Sequence, residues 1–150
     1  MIALSSKHLN RRLLTWNEIE AEAIDYPIAA SIRGEVFRVD KLGLLTPGRA
    51  YPVCTMPAAK SVDRAVRWLE RADAGRIKTP SISSYTLKHA AERWTGQYIS
   101  NGAFIVAAHQ RGFRMMPRQG SLYAPINMLV GMSKRVYYSL PESLEDSVHG

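Results

Sequence analysis

The chain has 150 residues, 46% of them hydrophobic, and 20 Lys and Arg against 13 Asp and Glu leave a formal charge of +7. That size and apolar content suit one domain with one continuous core across residues 1–150. Cys54 is the only cysteine, which excludes an internal disulfide and any multi-cysteine zinc site and favours a reducing compartment.

The first residues, Met1-Ile2-Ala3-Leu4-Ser5-Ser6-Lys7-His8, lack the long apolar core of a secretion signal, and no run of about 18 apolar residues occurs. The expectation is a cytoplasmic protein with no membrane association. Over residues 6–25, Leu9, Leu13 and Trp16 recur at helical spacing, and Thr15 with Glu18 forms a capping box for a second helical stretch that Tyr26-Pro27 ends. From Ser31 to Met56 the pattern turns to short strands. Ile32, Glu35-Val36-Phe37-Arg38-Val39 and Tyr51-Pro52-Val53-Cys54 are separated by Lys41-Leu42-Gly43 and Thr46-Pro47-Gly48, which predicts a small antiparallel hairpin or meander.

After Pro57, Ser61 is placed to cap a helix with Asp63 in its first turn, Val62, Ala65, Val66, Leu69 and Ala72 as its apolar stripe, and Gly75 as its stop. Ser83 or Ser84 opens a second helix over residues 84–94, with Leu87, Ala90, Ala91 and Trp94 inward, Lys88, His89, Glu92 and Arg93 outward, and Gly96 closing it. Asn101 is placed to cap a third, which carries Phe104, Ile105, Ala107 and Ala108 and ends at Gly112. Gln119-Gly120-Ser121 reads as a turn, and residues 126–138 read as extended because Val136-Tyr137-Tyr138 favours strand. Residues 139–150, with Glu142, Glu145 and Asp146, read as a frayed acidic tail. The predicted fold is α+β: N-terminal helices, a small antiparallel sheet and a three-helix cluster over about residues 61–112.

Charge is segregated along the chain. Residues 1–60 hold 8 basic and 6 acidic side chains, residues 61–138 hold 12 and 4, and the tail holds only 3 acids. Between Glu92 and Glu142 there is no acidic residue, while Arg93, Arg111, Arg114, Arg118, Lys134 and Arg135 fall in that gap. A phosphate-facing surface needs such asymmetry, because each neutralised phosphate releases condensed counterions and nearby acids oppose the gain. The expected function is therefore nucleic-acid binding with weak sequence preference, to DNA or RNA, through Lys88, Arg93, Arg111, Arg114, Arg118, Lys134 and Arg135. The alternative is a protein-interaction module or inhibitor whose basic face docks on an acidic protein.

The helix pair at residues 84–112 resembles a helix-turn-helix in outline only. Its link from Thr95 to Ser100 is longer than the usual turn, and Ala103, Phe104, Ile105 and Val106 stand where base-reading polar residues belong. Tyr123, Tyr137 and Tyr138 are candidates for stacking on unpaired bases. Catalytic signals are thin: no Walker loop, G-x-G-x-x-G or H-E-x-x-H occurs, and Cys54 has no adjacent His. His89 and Glu92, one turn apart, with distant His109, are the one acid-base or metal candidate. No enzyme, cofactor or metal is expected.

Overall fold

A computed structural model of the protein describes residues 13–49, 54–118 and 126–143. The chain opens with α1 (Trp16–Glu22), whose N-terminus carries the expected capping box. The Thr15 hydroxyl accepts from the Glu18 N–H at 3.3 Å, and Glu18 Oε1 accepts from the Thr15 N–H at 3.1 Å. The earlier helical stretch expected around Leu9 lies outside the described residues.

Three strands follow as an antiparallel sheet in the order β1 (Ile28–Ile32), β2 (Glu35–Asp40) and β3 (Gly43–Leu45). The third strand is Gly43–Leu45, between the turns read at Lys41-Leu42-Gly43 and Thr46-Pro47-Gly48, where the sequence reading placed no strand; residues 51–53, read as strand, are outside the described set. Asp40 explains the placement. This carboxylate, 0% exposed, accepts the Leu42 and Gly43 N–H groups at 3.0 and 3.2 Å on Oδ1 and the Cys54 N–H at 2.8 Å on Oδ2. Arg49, 8% exposed, donates to both of its oxygens, Nη1 to Oδ1 at 2.8 Å and Nη2 to Oδ2 at 2.7 Å. One buried carboxylate, with every lone-pair direction used, folds the β2–β3 turn and ties the chain back at Cys54.

Three helices form the cluster expected near residues 61–112: α2 (Ala59–Arg71), α3 (Ser84–Thr95) and α4 (Asn101–Gln110). Ser61 does not cap α2, which starts after Ala58 without a side-chain cap and has no acid in its first turn. Ser61 is instead buried, and its hydroxyl accepts the Ser100 N–H at 3.0 Å. Nor is Gly75 the stop of α2. A short 3-10 turn, Asp73–Gly75, follows the helix, and a Cβ on Gly75 would stand 2.8 Å from the Val136 side chain. Gly96 does close α3 as expected, at φ 72°.

Ser100, not Asn101, caps α4, accepting the Ala103 N–H at 3.1 Å. Asn101 is a buried cross-link. Its Oδ1 accepts from the Ser84 hydroxyl at 2.9 Å, while Nδ2 donates to the Leu42 carbonyl at 2.9 Å and to Asn127 Oδ1 at 2.9 Å. Next to it, Gly102 lets the helix rest on the first hairpin, donating its N–H to the Lys41 carbonyl at 3.0 Å. The stretch Ser100-Asn101-Gly102 thus joins both sheets to the helices.

A second antiparallel sheet, absent from the sequence expectation, has the order β4 (Ile82–Ser83), β6 (Met128–Val130), β5 (Met115–Pro117). Ile82, Val130 and Met115 form one row across it, buried; Ser83, Leu129 and Met116 form the next, with Met116 exposed. The segment read as extended over residues 126–138 does form β6 in its first part, but from Lys134 it turns helical as α5 (Lys134–Ser139). The local preference of Val136-Tyr137-Tyr138 for strand loses to two tertiary contacts: Val136 against Gly75, and Tyr137 edge-on to Trp68 with centroids 6.5 Å apart. Ser133 supplies the cap, accepting the Val136 N–H at 3.4 Å. The tail is not wholly frayed either, since Leu140 packs against the core; residues 144–150 lie outside the described set.

One cluster of buried side chains draws on both sheets and on α2 to α4, with Trp68, Phe104, Leu69, Leu87, Ile105 and Met128 among its largest members. Each such side chain contributes about 1.5–3 kcal/mol by leaving water. A satellite cluster of Leu14, Ile19, Ala23 and Leu45 anchors α1 on the first sheet. Among the described residues no helix is long and apolar enough to cross a membrane.

Candidate nucleic-acid interface

The basic side chains singled out from the sequence fall into two groups. Lys88 and Arg111 are committed elsewhere. Lys88 points inward rather than outward: it is 8% exposed, its Nζ is 3.3 Å from Glu92 Oε1, and it lies 5.3 and 5.4 Å from the ring centroids of Tyr85 and Tyr98. An ammonium held by a carboxylate and two aromatic rings has little left for a phosphate. Arg111, half-buried after α4, faces Asp73 Oδ1 at 3.3 Å and Glu70 Oε2 at 4.0 Å. The absence of acids from residues 93–141 in sequence does not keep acids away in space.

Arg93, Arg114, Arg118, Lys134 and Arg135 are exposed, and among the described residues their side chains make no ion pair or hydrogen bond. Arg118 and Lys134 converge. They line one groove of about 270 Å³ with Ser83, Thr86, Tyr137 and Tyr138. Arg118 is held at the end of β5, where its N–H donates to the Asn127 carbonyl at 3.0 Å. Lys134 sits in the first turn of α5, and Tyr138, four residues on, shares its face of the helix. Ser83 caps α3, accepting the Tyr85 N–H at 3.3 Å. The first turn of that 12-residue helix therefore opens on the groove and adds partial positive charge. Among the described residues no acid lines it.

Across Tyr138 lies a second groove, of about 170 Å³, lined by Trp68, Ala90, Arg93, Leu140 and Glu142 together with the same two tyrosines. Arg114 flanks β5 at the end opposite Arg118. Four residues apart in an extended segment, the two arginines lie on one side of the strand, with exposed Met116 between them. Arg135 projects from α5 outside both grooves. Tyr123 is outside the described residues.

The helix-turn-helix outline ends at burial. Residues 101–108 of α4, which would be the recognition helix, are all buried, so that stretch is not free to lie in a DNA groove. The His89–Glu92 pair does form, with Nδ1 2.9 Å from Oε1. The same carboxylate also takes Lys88 and, at 3.1 Å on Oε2, the Ile99 N–H, so it works as a tie between α3 and the link to α4. Among the described residues no three His, Cys, Asp or Glu are grouped to hold a metal.

Sequence reasoning missed Thr86, Ser81 and Ser83 as groove residues, because their place beside Arg118 depends on the unforeseen second sheet. The helical spacing of Lys134 and Tyr138 was present in the sequence but hidden by the strand preference around it. No protein-family model, no curated protein and no solved structure matches the chain, so the groove's own chemistry carries the functional reading.

Proposed function

We propose that the protein binds nucleic acid through its phosphate backbone, with Arg118 and Lys134 as the central contacts and Arg93 and Arg114 extending the surface. The observation that carries this reading is the groove, without an acid among its described residues, in which two unpaired cations meet beside a helix N-terminus. Backbone contacts position a nucleic acid without reading its bases, which accords with weak sequence preference. Lys88 and Arg111 take no part, since their charges are already neutralised by Glu92, Asp73 and Glu70.

Fluorescence anisotropy with short DNA and RNA at salt between about 50 and 200 mM tests it. Affinity should fall steeply with salt. The double variant Arg118→Glu and Lys134→Glu should flatten the log–log slope by about 1.8 units on duplex DNA, the expectation for two lost phosphate contacts. Lys88→Met should leave that slope unchanged. Salt-insensitive binding, or none to any nucleic acid, refutes the proposal and turns attention to an acidic protein surface as the partner.

A further inference from the structure

We infer that Tyr138 is a stacking platform for an unpaired base, so that the protein takes single-stranded nucleic acid in preference to duplex. This deepens the phosphate-binding reading and rests on it. The ring is 79% exposed, the highest value among the large hydrophobic side chains described. Exposing a tyrosine of this size costs water-exposed apolar area unless the ring has a partner.

The ring is also braced. Tyr138 meets Tyr137 at a centroid distance of 5.1 Å and an interplanar angle of 60°, and Tyr137 is itself seated on the buried Trp68. A side chain held from behind and free in front loses little rotamer freedom when a planar group lies on it.

Tyr138 borders two grooves, and their linings suit the two parts of a nucleotide. One is lined by Arg118, Lys134, Ser83 and Thr86 and, among the described residues, by no acid, a place for the phosphate. The other is lined by Trp68, Ala90, Leu140 and Pro141, and Glu142 opposes a phosphate there. That groove suits a base, with the Arg93 guanidinium also within it.

A duplex keeps its base faces inside its own stack, where Tyr138 cannot reach them. Nor is α4, the second helix of the pair, free to enter its major groove, being buried along residues 101–108. A single strand presents both a backbone and free base faces.

The test uses the full chain with labelled single-stranded DNA, single-stranded RNA and duplex DNA of about 20 nucleotides, longer than common single-strand sites. Both single strands should bind at least tenfold more tightly than duplex at equal salt. Tyr138→Ala, at an exposed position, should weaken single-strand binding roughly five- to hundredfold, the range for one stacked base, without changing the salt slope. Tyr138→Trp should retain the affinity, and duplex binding should not respond to either change. A thermal melt of each variant establishes that the fold persists.

Equal affinity for duplex and single strand, or a Tyr138→Ala variant that binds single strands as the parent does, overturns the inference while salt-dependent binding keeps the phosphate reading. Loss of all nucleic-acid binding by the parent protein overturns both. A difference between the DNA and RNA arms identifies which strand the surface prefers.

Discussion

Gly102→Ala puts packing and helix propensity in direct opposition. In an ordinary helix the change stabilises by about 0.5–1 kcal/mol, because alanine loses less backbone entropy than glycine. Here the new Cβ would fall 1.7 Å from the Asp40 carbonyl oxygen and 2.8 Å from its carbon, both backbone atoms of the β2–β3 hairpin. The start of α4 has to back away from the hairpin. That movement opens the Gly102 N–H bond to Lys41, 3.0 Å, and the Asn101 Nδ2 bond to Leu42, 2.9 Å. Two such bonds are each worth about 0.5–1.5 kcal/mol, and forced repacking costs about 1–3 kcal/mol more.

After subtracting the propensity gain, the expected net loss is about 3 kcal/mol, a fall in Tm of roughly 6–12 °C for a chain of this length. Urea denaturation followed by tryptophan fluorescence, with Trp68 and Trp94 buried in the core as reporters, measures it. Gly96→Ala is the control. That position has φ 72° with no atom near a new Cβ, so only the left-handed backbone is penalised, by about 1–2 kcal/mol. A Gly102→Ala midpoint equal to or above that of the parent would show that the helix does not rest on the Asp40 carbonyl.

Asp40→Asn removes the charge that Arg49 neutralises and leaves a buried guanidinium, so it should destabilise by about 3–5 kcal/mol in the same denaturation assay. A loss below 1 kcal/mol would contradict the role given to this pair. Tyr26 supplies a pH dependence. Its hydroxyl donates to the Cys54 carbonyl at 2.6 Å, and burial first, then the nearby Asp40 carboxylate and Cys54, hold its pKa above the ordinary 10.0, against the opposing effect of Arg49. A pKa raised on folding means that the folded state keeps the proton longer. Its contribution is complete below pH 10.0 and is lost as pH climbs through the folded-state value. Tyr26→Phe should be less stable near neutrality yet decline less steeply above pH 10.0; parallel stability–pH curves for the two proteins would refute this.

Local rules determined much of the secondary structure. The capping box at Thr15 and Glu18, the Ser83 start and Gly96 stop of α3, and the β2 strand all depend on residues within a few positions of one another, and each is found as read. The α+β class and the three-helix cluster follow from the same short-range periodicity. The sequence also showed that cations accumulate after Glu92, although not which of them are free.

Tertiary structure decided the rest, because its causes act between residues far apart in the chain. Val136 on Gly75 and Tyr137 on Trp68 made a helix of a segment with strand preference. Asn101, which read as a cap, bonds Ser84, Leu42 and Asn127 because the fold brings those polar groups to a site where water cannot satisfy them. The same long-range contacts sorted the charges. Asp73 and Glu70, remote in sequence, face Arg111, and Glu92 draws Lys88 inward, whereas β5 and α5 deliver Arg118 and Lys134 to one groove beside Tyr138. Net charge is a property of the sequence; an unpaired cation is a property of the fold, since Coulomb attraction depends on distance through space rather than along the chain.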